Sequence, residues 1–138
     1  MASSDVVVSW KNVRLTRGDV ALFHEGHWLN DECITFFFEH LASKHRANIE
    51  GRVALIGAET VFWLANEDDM EELVDAAEAL GLGSAELVLC PVNDHTNVAS
   101  AGGSHWSLLV GRATPGPGTT SSPLVFEHYD SMSPTANG

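Results

Sequence analysis

The residues of this chain best suited to acid–base chemistry fall in two short stretches. In "GGSHWSLLV" two glycines and a serine lead into His105 and Trp106 ahead of an apolar run, and in "LVFEHYD" a second apolar run closes on Asp130. A histidine at the mouth of one strand and a carboxylate at the end of the next are the parts of a base and its orienting acid. The carboxylate fixes which ring nitrogen carries the proton and leaves the other to accept one from a nucleophile. Other reactive side chains are sparser. The two cysteines, Cys33 and Cys90, are too few and too scattered for a disulfide framework or a Cys-rich zinc site. Both read as buried structural thiols, with only Cys33 near a helix N-terminus that could lower its pKa. His24 with His27, and His40 with His45, have spacings a metal could use, but no Cys or acidic partner converges on them, so neither metal nor cofactor is expected. "AGGS" ahead of His105 leads into a strand and lacks the lysine of a P-loop, so it is discounted as a phosphate cradle.

Two strands must bring the pair together. An antiparallel pairing that matches Gly111 with Leu124 also matches Leu109 with Phe126, Ser107 with His128, and His105 with Asp130. Side chains so paired share a sheet face with Cβ atoms ~4.5–5.5 Å apart, close enough for the carboxylate to take a bond from one imidazole nitrogen. From geometry alone a structural pair and a catalytic pair both stand.

Around these strands the chain reads as a mixture of helix and sheet. "DVVVSW" is a short β-branched strand, expected at an edge, and "VRLTRGDVALF" is an irregular or briefly extended sequel. "WLNDECITFFFEHLASKH" is a helix capped by Asn30 or Asp31, with Ile34, Phe37, Phe38 and Leu41 as its apolar stripe. Trp28 stands just before the cap, as a hydrophobic staple or a surface aromatic. "VALIG" is a short strand, "AETVFWLA" a short helix, and "NEDDMEELVDAAE" an acidic helix with Met70, Leu73, Val74 and Ala77 inward, ended by Gly81 and Gly83. "ELVLCPV" suits a central strand in which Pro91 must occupy an end or a bulge. "RATPGPGTTSSP", residues 112–123, is a flexible low-complexity connection. The fold expected is α+β: a mostly antiparallel or mixed sheet from the strands near Val6, Glu86, His105 and Leu124, packed by the aromatic and acidic helices.

Composition narrows the partners. At 138 residues and 44% hydrophobic content the chain suits one domain, residues 1–138. Its 7 Lys and Arg against 19 Asp and Glu give a formal charge of −12, which repels a phosphate backbone, so no nucleic-acid partner is expected. No apolar run reaches the ~20 residues of a bilayer span, so no membrane partner is expected either. Two scattered thiols fit a reducing cytoplasmic or nuclear setting.

"WLND" opening a helix, "GGSHWSLLV" opening a strand and "HYDS" closing the next resemble, in order and context, the ubiquitin-like proteases, the sentrin-protease or Ulp-type cysteine peptidases. The long polar loop "NDHTNVASAGGS" is most similar to that of the deneddylases within that family. The resemblance implies a papain-like fold and a Cys-His-Asp triad that attacks the carbonyl after a terminal Gly-Gly of a ubiquitin-like modifier. It makes His105 the general base and Asp130 its orienting carboxylate, with no cofactor. Trp106 would wall the tunnel that grips the Gly-Gly tail, and Trp28 and Asp31 match the helix-opening motif beside it. The same resemblance places the nucleophilic cysteine in an Asp-Cys-Gly motif downstream of the aspartate, with a glutamine shortly before it, and neither occurs before Gly138. As given, the chain is therefore expected to be a C-terminally truncated, proteolytically inert part of such an enzyme. The alternatives are a modifier-binding module that does not cut, and a plain α+β domain with a chance His-Asp pair.

Overall fold

A computed structural model of the chain describes residues 2–95, 105–114 and 123–132. Residues 96–104 of the polar loop ahead of His105, the middle of the 112–123 connection and the residues beyond Met132 lie outside the described residues. In chain order the elements are β1 (Val6–Trp10), β2 (Val13–Thr16), α1 (Arg17–Ala21), α2 (Asp31–Lys44), α3 (Arg46–Ile49), β3 (Val53–Leu55), α4 (Ala58–Asn66), α5 (Met70–Ala79), β4 (Leu87–Asn93), β5 (Trp106–Ala113) and β6 (Leu124–Tyr129). The main sheet has the order β3-β4-β5-β6, parallel between β3 and β4 and antiparallel thereafter, so the mixed α+β arrangement expected is the one found.

The strand near Val6 is not part of that sheet. It pairs with β2 in a separate two-stranded hairpin, turned at Lys11, whose φ of 54° is left-handed. The sequel that reads as irregular is thus β2 followed by α1. Alternation explains it: Val13 and Leu15 point inward and are 2% exposed, with α2 packed on β2, while Arg14 points out. Thr16 then caps α1 in a reciprocal box with Asp19.

Pro91 lies within β4, neither at its end nor in a bulge. Ile56 N–H donates to Leu89 O, the last bond on the β3 side. Main-chain groups alternate between neighbours along a strand, so the Pro91 nitrogen faces the side where β3 has already ended. A central strand therefore tolerates the proline without losing a bond.

The core lies between this sheet and α4, where Ile56, Ala85, Val88 and Cys90 are buried among Val61, Leu64, Leu80, Leu82, Leu109 and Leu124. Burial of a side chain such as Val88, 1% exposed, contributes about 1.5–3 kcal/mol. The acidic helix buries less than its pattern suggests. Met70 and Val74 are exposed and Leu73 only half-buried, on a helix that Asp69 caps at its N-terminus. Its end is as read: Gly81, at φ +69°, lets its own N–H reach Glu78 O while Leu82 N–H reaches Ala77 O, closing the last turn.

Candidate active site

β5 and β6 pair with Leu108 opposite Tyr129, Leu109 opposite His128, Gly111 opposite Phe126 and Ala113 opposite Leu124. This corrects the expected register by two residues. The cause is visible at Gly111: the Phe126 ring fills the space over it, so close that a Cβ there would lie 2.7 Å from the ring. The pairing continues outward, with Thr114 N–H donating to Pro123 O at 3.0 Å. A shift of two keeps each side chain on its original face. His105 and Asp130 therefore still share a face, as diagonal neighbours instead of direct ones.

A diagonal spans about 7–8 Å between main chains, within reach of an imidazole. His105 Nε2 and Asp130 Oδ1 are 2.6 Å apart, and the two side chains are 16% and 23% exposed. The same Oδ1 accepts the Met132 N–H at 2.9 Å. That backbone bond, and then the His105 ring, hold the Asp130 carboxyl below its ordinary range, so it is an anion at neutral pH. An anionic acceptor on Nε2 favours the tautomer with its proton there, leaving Nδ1 to take up another. Next along the same face, His128 Nε2 lies 2.8 Å from Ser107 Oγ, a second diagonal pair.

Trp106 points to the opposite face of β5. It lines an apolar groove of about 590 Å³ together with Ile34, Phe37 and Phe38 of α2, Pro91 and Tyr129, and Asp130 and Ser131 stand at the groove's polar end. Three residues of the stripe read on α2, Ile34, Phe37 and Phe38, line this groove, and Phe37 stays exposed, while Phe36, outside that stripe, lies 5.8 Å from Trp10 and 6.5 Å from Phe23 between ring centres.

The Trp106 indole Nε1 donates to Leu29 O at 2.8 Å, tying the strand that carries His105 to the segment that enters α2. Trp28, next in that segment, is 67% exposed and so is not a buried staple. Asn30 caps α2, its Oδ1 accepting the Cys33 N–H at 3.1 Å and its amide donating to Asp19 Oδ1 at 2.7 Å. Asp31 occupies the first position of the helix, half-buried, and is not part of the groove wall. Thus His105, Trp106 and Asp130 are brought together, Trp28 is attached to them through Leu29, and Asp31 stands apart.

Neither cysteine is placed as a nucleophile. Cys33 is 1% exposed, its thiol donating to Asp19 O at 3.4 Å. Burial pushes that thiol's pKa up, outweighing the lowering that a helix N-terminus could give, in keeping with the reading of a buried structural thiol. Cys90 is raised by burial as well. It pairs with Leu109, on the face of His105 but four residues along β4 from the position opposite it, about 13 Å at ~3.3 Å per residue.

Three partners of the site escape a reading of the sequence: Leu29, which contributes only a carbonyl, Met132, which contributes only an N–H, and Asp94. The Asp94 carboxylate accepts the His105 N–H at 3.2 Å, while Asp94 N–H donates to His105 O at 3.1 Å. Main-chain groups leave no trace in residue type. Asp94 does carry a signal, as a polar residue directly following an apolar strand.

No family model matches the chain. It is 36% identical over 110 residues to NEDD8-specific protease 1 of Arabidopsis thaliana, covering 79% of this chain and 47% of that protein. To sentrin-specific protease 8 of Homo sapiens it is 34% identical over 128 residues, covering 93% of this chain and 56% of that one. The fold matches a solved de-sumoylating protease with a TM-score of 0.50 at 18% identity, over 73% of this chain and 38% of the other. In sequence the chain is similar to these NEDD8-specific and sentrin-specific proteases, and in fold to the α+β framework of the solved de-sumoylating protease. Its relatives include proteases named for NEDD8 as well as for sentrin. The chain spans about half the length of the curated relatives it matches.

Proposed function

We propose that this chain supplies the base and its carboxylate to a thiol peptidase that matures or removes a ubiquitin-like modifier, the neddylation modifier in preference to a SUMO-type one. The observation that carries this reading is the 2.6 Å contact between His105 and Asp130 beside a groove walled by Trp106. With Nε2 held by Asp130, Nδ1 takes the proton of a thiol. The thiolate adds to the carbonyl that ends the modifier's Gly-Gly tail, and the imidazolium returns its proton to the departing amine. Water, deprotonated by the same nitrogen, then cleaves the thioester and regenerates the thiol. Trp106 and Trp28 grip the tail, while Asp31, at the start of α2, shares the helix-opening motif but stands outside the groove wall. No cofactor takes part, and the setting is cytoplasmic or nuclear.

Burial of both Cys33 and Cys90 favours a thiol from outside these 138 residues. The same burial supports the second reading, a module that binds the modifier without cutting it. The test is to incubate the chain with the neddylation modifier carrying a C-terminal electrophile. Binding without a covalent adduct is the expected result. An adduct at Cys33 or Cys90 would overturn the assignment of the nucleophile, and absence of binding would overturn the modifier reading itself.

A further inference from the structure

The last rung of the β4–β5 ladder is made in an unusual way. Asp94 and His105 stand opposite each other one step beyond the Asn93–Trp106 pair, at a position where two residues exchange two main-chain bonds. One of these is present, from Asp94 N–H to His105 O at 3.1 Å. In place of the other, His105 N–H donates to the Asp94 side chain, Oδ1, at 3.2 Å. The substitution lets β4 leave the ladder without stranding the His105 N–H. Asn93 turns the chain away by accepting the His95 N–H at 2.9 Å, and the His95 ring stacks on Phe62, 5.9 Å between centres and 22° between planes.

We infer that Asp94 is a positioning residue: its carboxylate fixes the main chain of His105 where β5 begins, and so aims the ring at Asp130. The inference rests on the reading of His105 as the base, whose role it extends by one residue. His105 lies just outside β5, so on the β4 side it is this rung that holds its φ and ψ. A side-chain acceptor can hold it there while the main chain of β4 departs at Asp94 and His95. A carboxylate is not essential for this, only an oxygen at the right reach. The Asp94→Asn change keeps such an oxygen and the bond with it, whereas Asp94→Ala removes both.

The experiment compares the 138-residue chain with its Asp94→Ala and Asp94→Asn variants by ¹⁵N NMR of the His105 ring near neutral pH. In the parent and in Asp94→Asn the ring should be mainly the Nε2–H tautomer. In Asp94→Ala the ratio of Nε2–H to Nδ1–H forms should fall roughly five-fold, equivalent to about 1 kcal/mol, the net worth of one hydrogen bond. Amide exchange should quicken at His105 and stay unchanged at Leu109, which separates a local effect from unfolding. An unchanged tautomer ratio in Asp94→Ala, or a failure of Asp94→Asn to restore it, would overturn the inference. None of these readouts requires catalysis. If the tautomer follows Asp94 while the electrophilic modifier fails to bind, the positioning stands and only the modifier reading falls.

Discussion

His105 and Asp130 meet across a diagonal of the sheet, two residues away from the register in which they would face each other, and still close to 2.6 Å. The geometry survives because a strand's side chains repeat every two residues, so an even shift changes the partner and keeps the face. Asp130, held below its ordinary value of 3.8 by the Met132 N–H and by His105, contributes stability that is complete above that value and is lost as pH falls through the lower folded value. Asp130→Asn should therefore be less stable than the parent at about pH 7, and the difference should shrink as pH falls below 3.8. Urea unfolding at neutral pH and at a series of pH values below 3.8 measures it, and a difference that does not change with pH would contradict the account of this carboxylate.

Gly111 is where the register is set. In Gly111→Ala the new methyl must displace the Phe126 ring, which is half out in solvent and swings away at a cost of about 1 kcal/mol, the low end for overpacking. Adding Phe126→Ala should abolish that cost. A double-mutant cycle by urea unfolding reads the coupling, and additive effects would show that the ring does not set the register.

Trp106→Phe keeps the groove wall and removes the bond to Leu29 O. The expected loss is about 0.5–1.5 kcal/mol of stability, with faster amide exchange confined to the segment around Trp28 and Asn30. Uniformly faster exchange would mean that Trp106 serves the core as a whole, not the entry to α2.

Glu32 sits on α2 where burial first, and then the charges of Glu59, Asp19 and Asp31, push its carboxyl above the ordinary 4.5. A raised carboxylate opposes folding once ionised, so stability should decline as pH rises from 4.5 through the folded value. Glu32→Gln should raise the Tm at about pH 7 and leave it nearly unchanged at about pH 4, a comparison that thermal melts make directly.

Much of this molecule is legible in its residues alone. Short apolar runs mark β4, β5 and β6, the capped aromatic segment marks α2, and the residue types at 105 and 130 mark the pair. What the residues do not carry is any relation set by main-chain groups or by the space one ring occupies. The register depends on Phe126 over Gly111, the seat of Pro91 on where β3 stops, and the attachment of Trp28 on a carbonyl of Leu29. The strand near Val6 reads as part of the main sheet because β propensity says that a segment is extended, not which strand it pairs with. Cys33 is as read, a buried structural thiol: near-complete burial raises its pKa and outweighs any lowering from the helix N-terminus.

The most direct measurement is a titration of the ¹⁵N-labelled chain with the neddylation modifier, once with its Gly-Gly tail intact and once with the tail removed. Tail-dependent shifts should appear at the Trp28 and Trp106 indoles and at the His105 ring, and should disappear when the tail is removed. Shifts that ignore the tail, or that fall on α5 and leave those three rings unmoved, would contradict the placement of a tail-gripping site beside the histidine and its carboxylate.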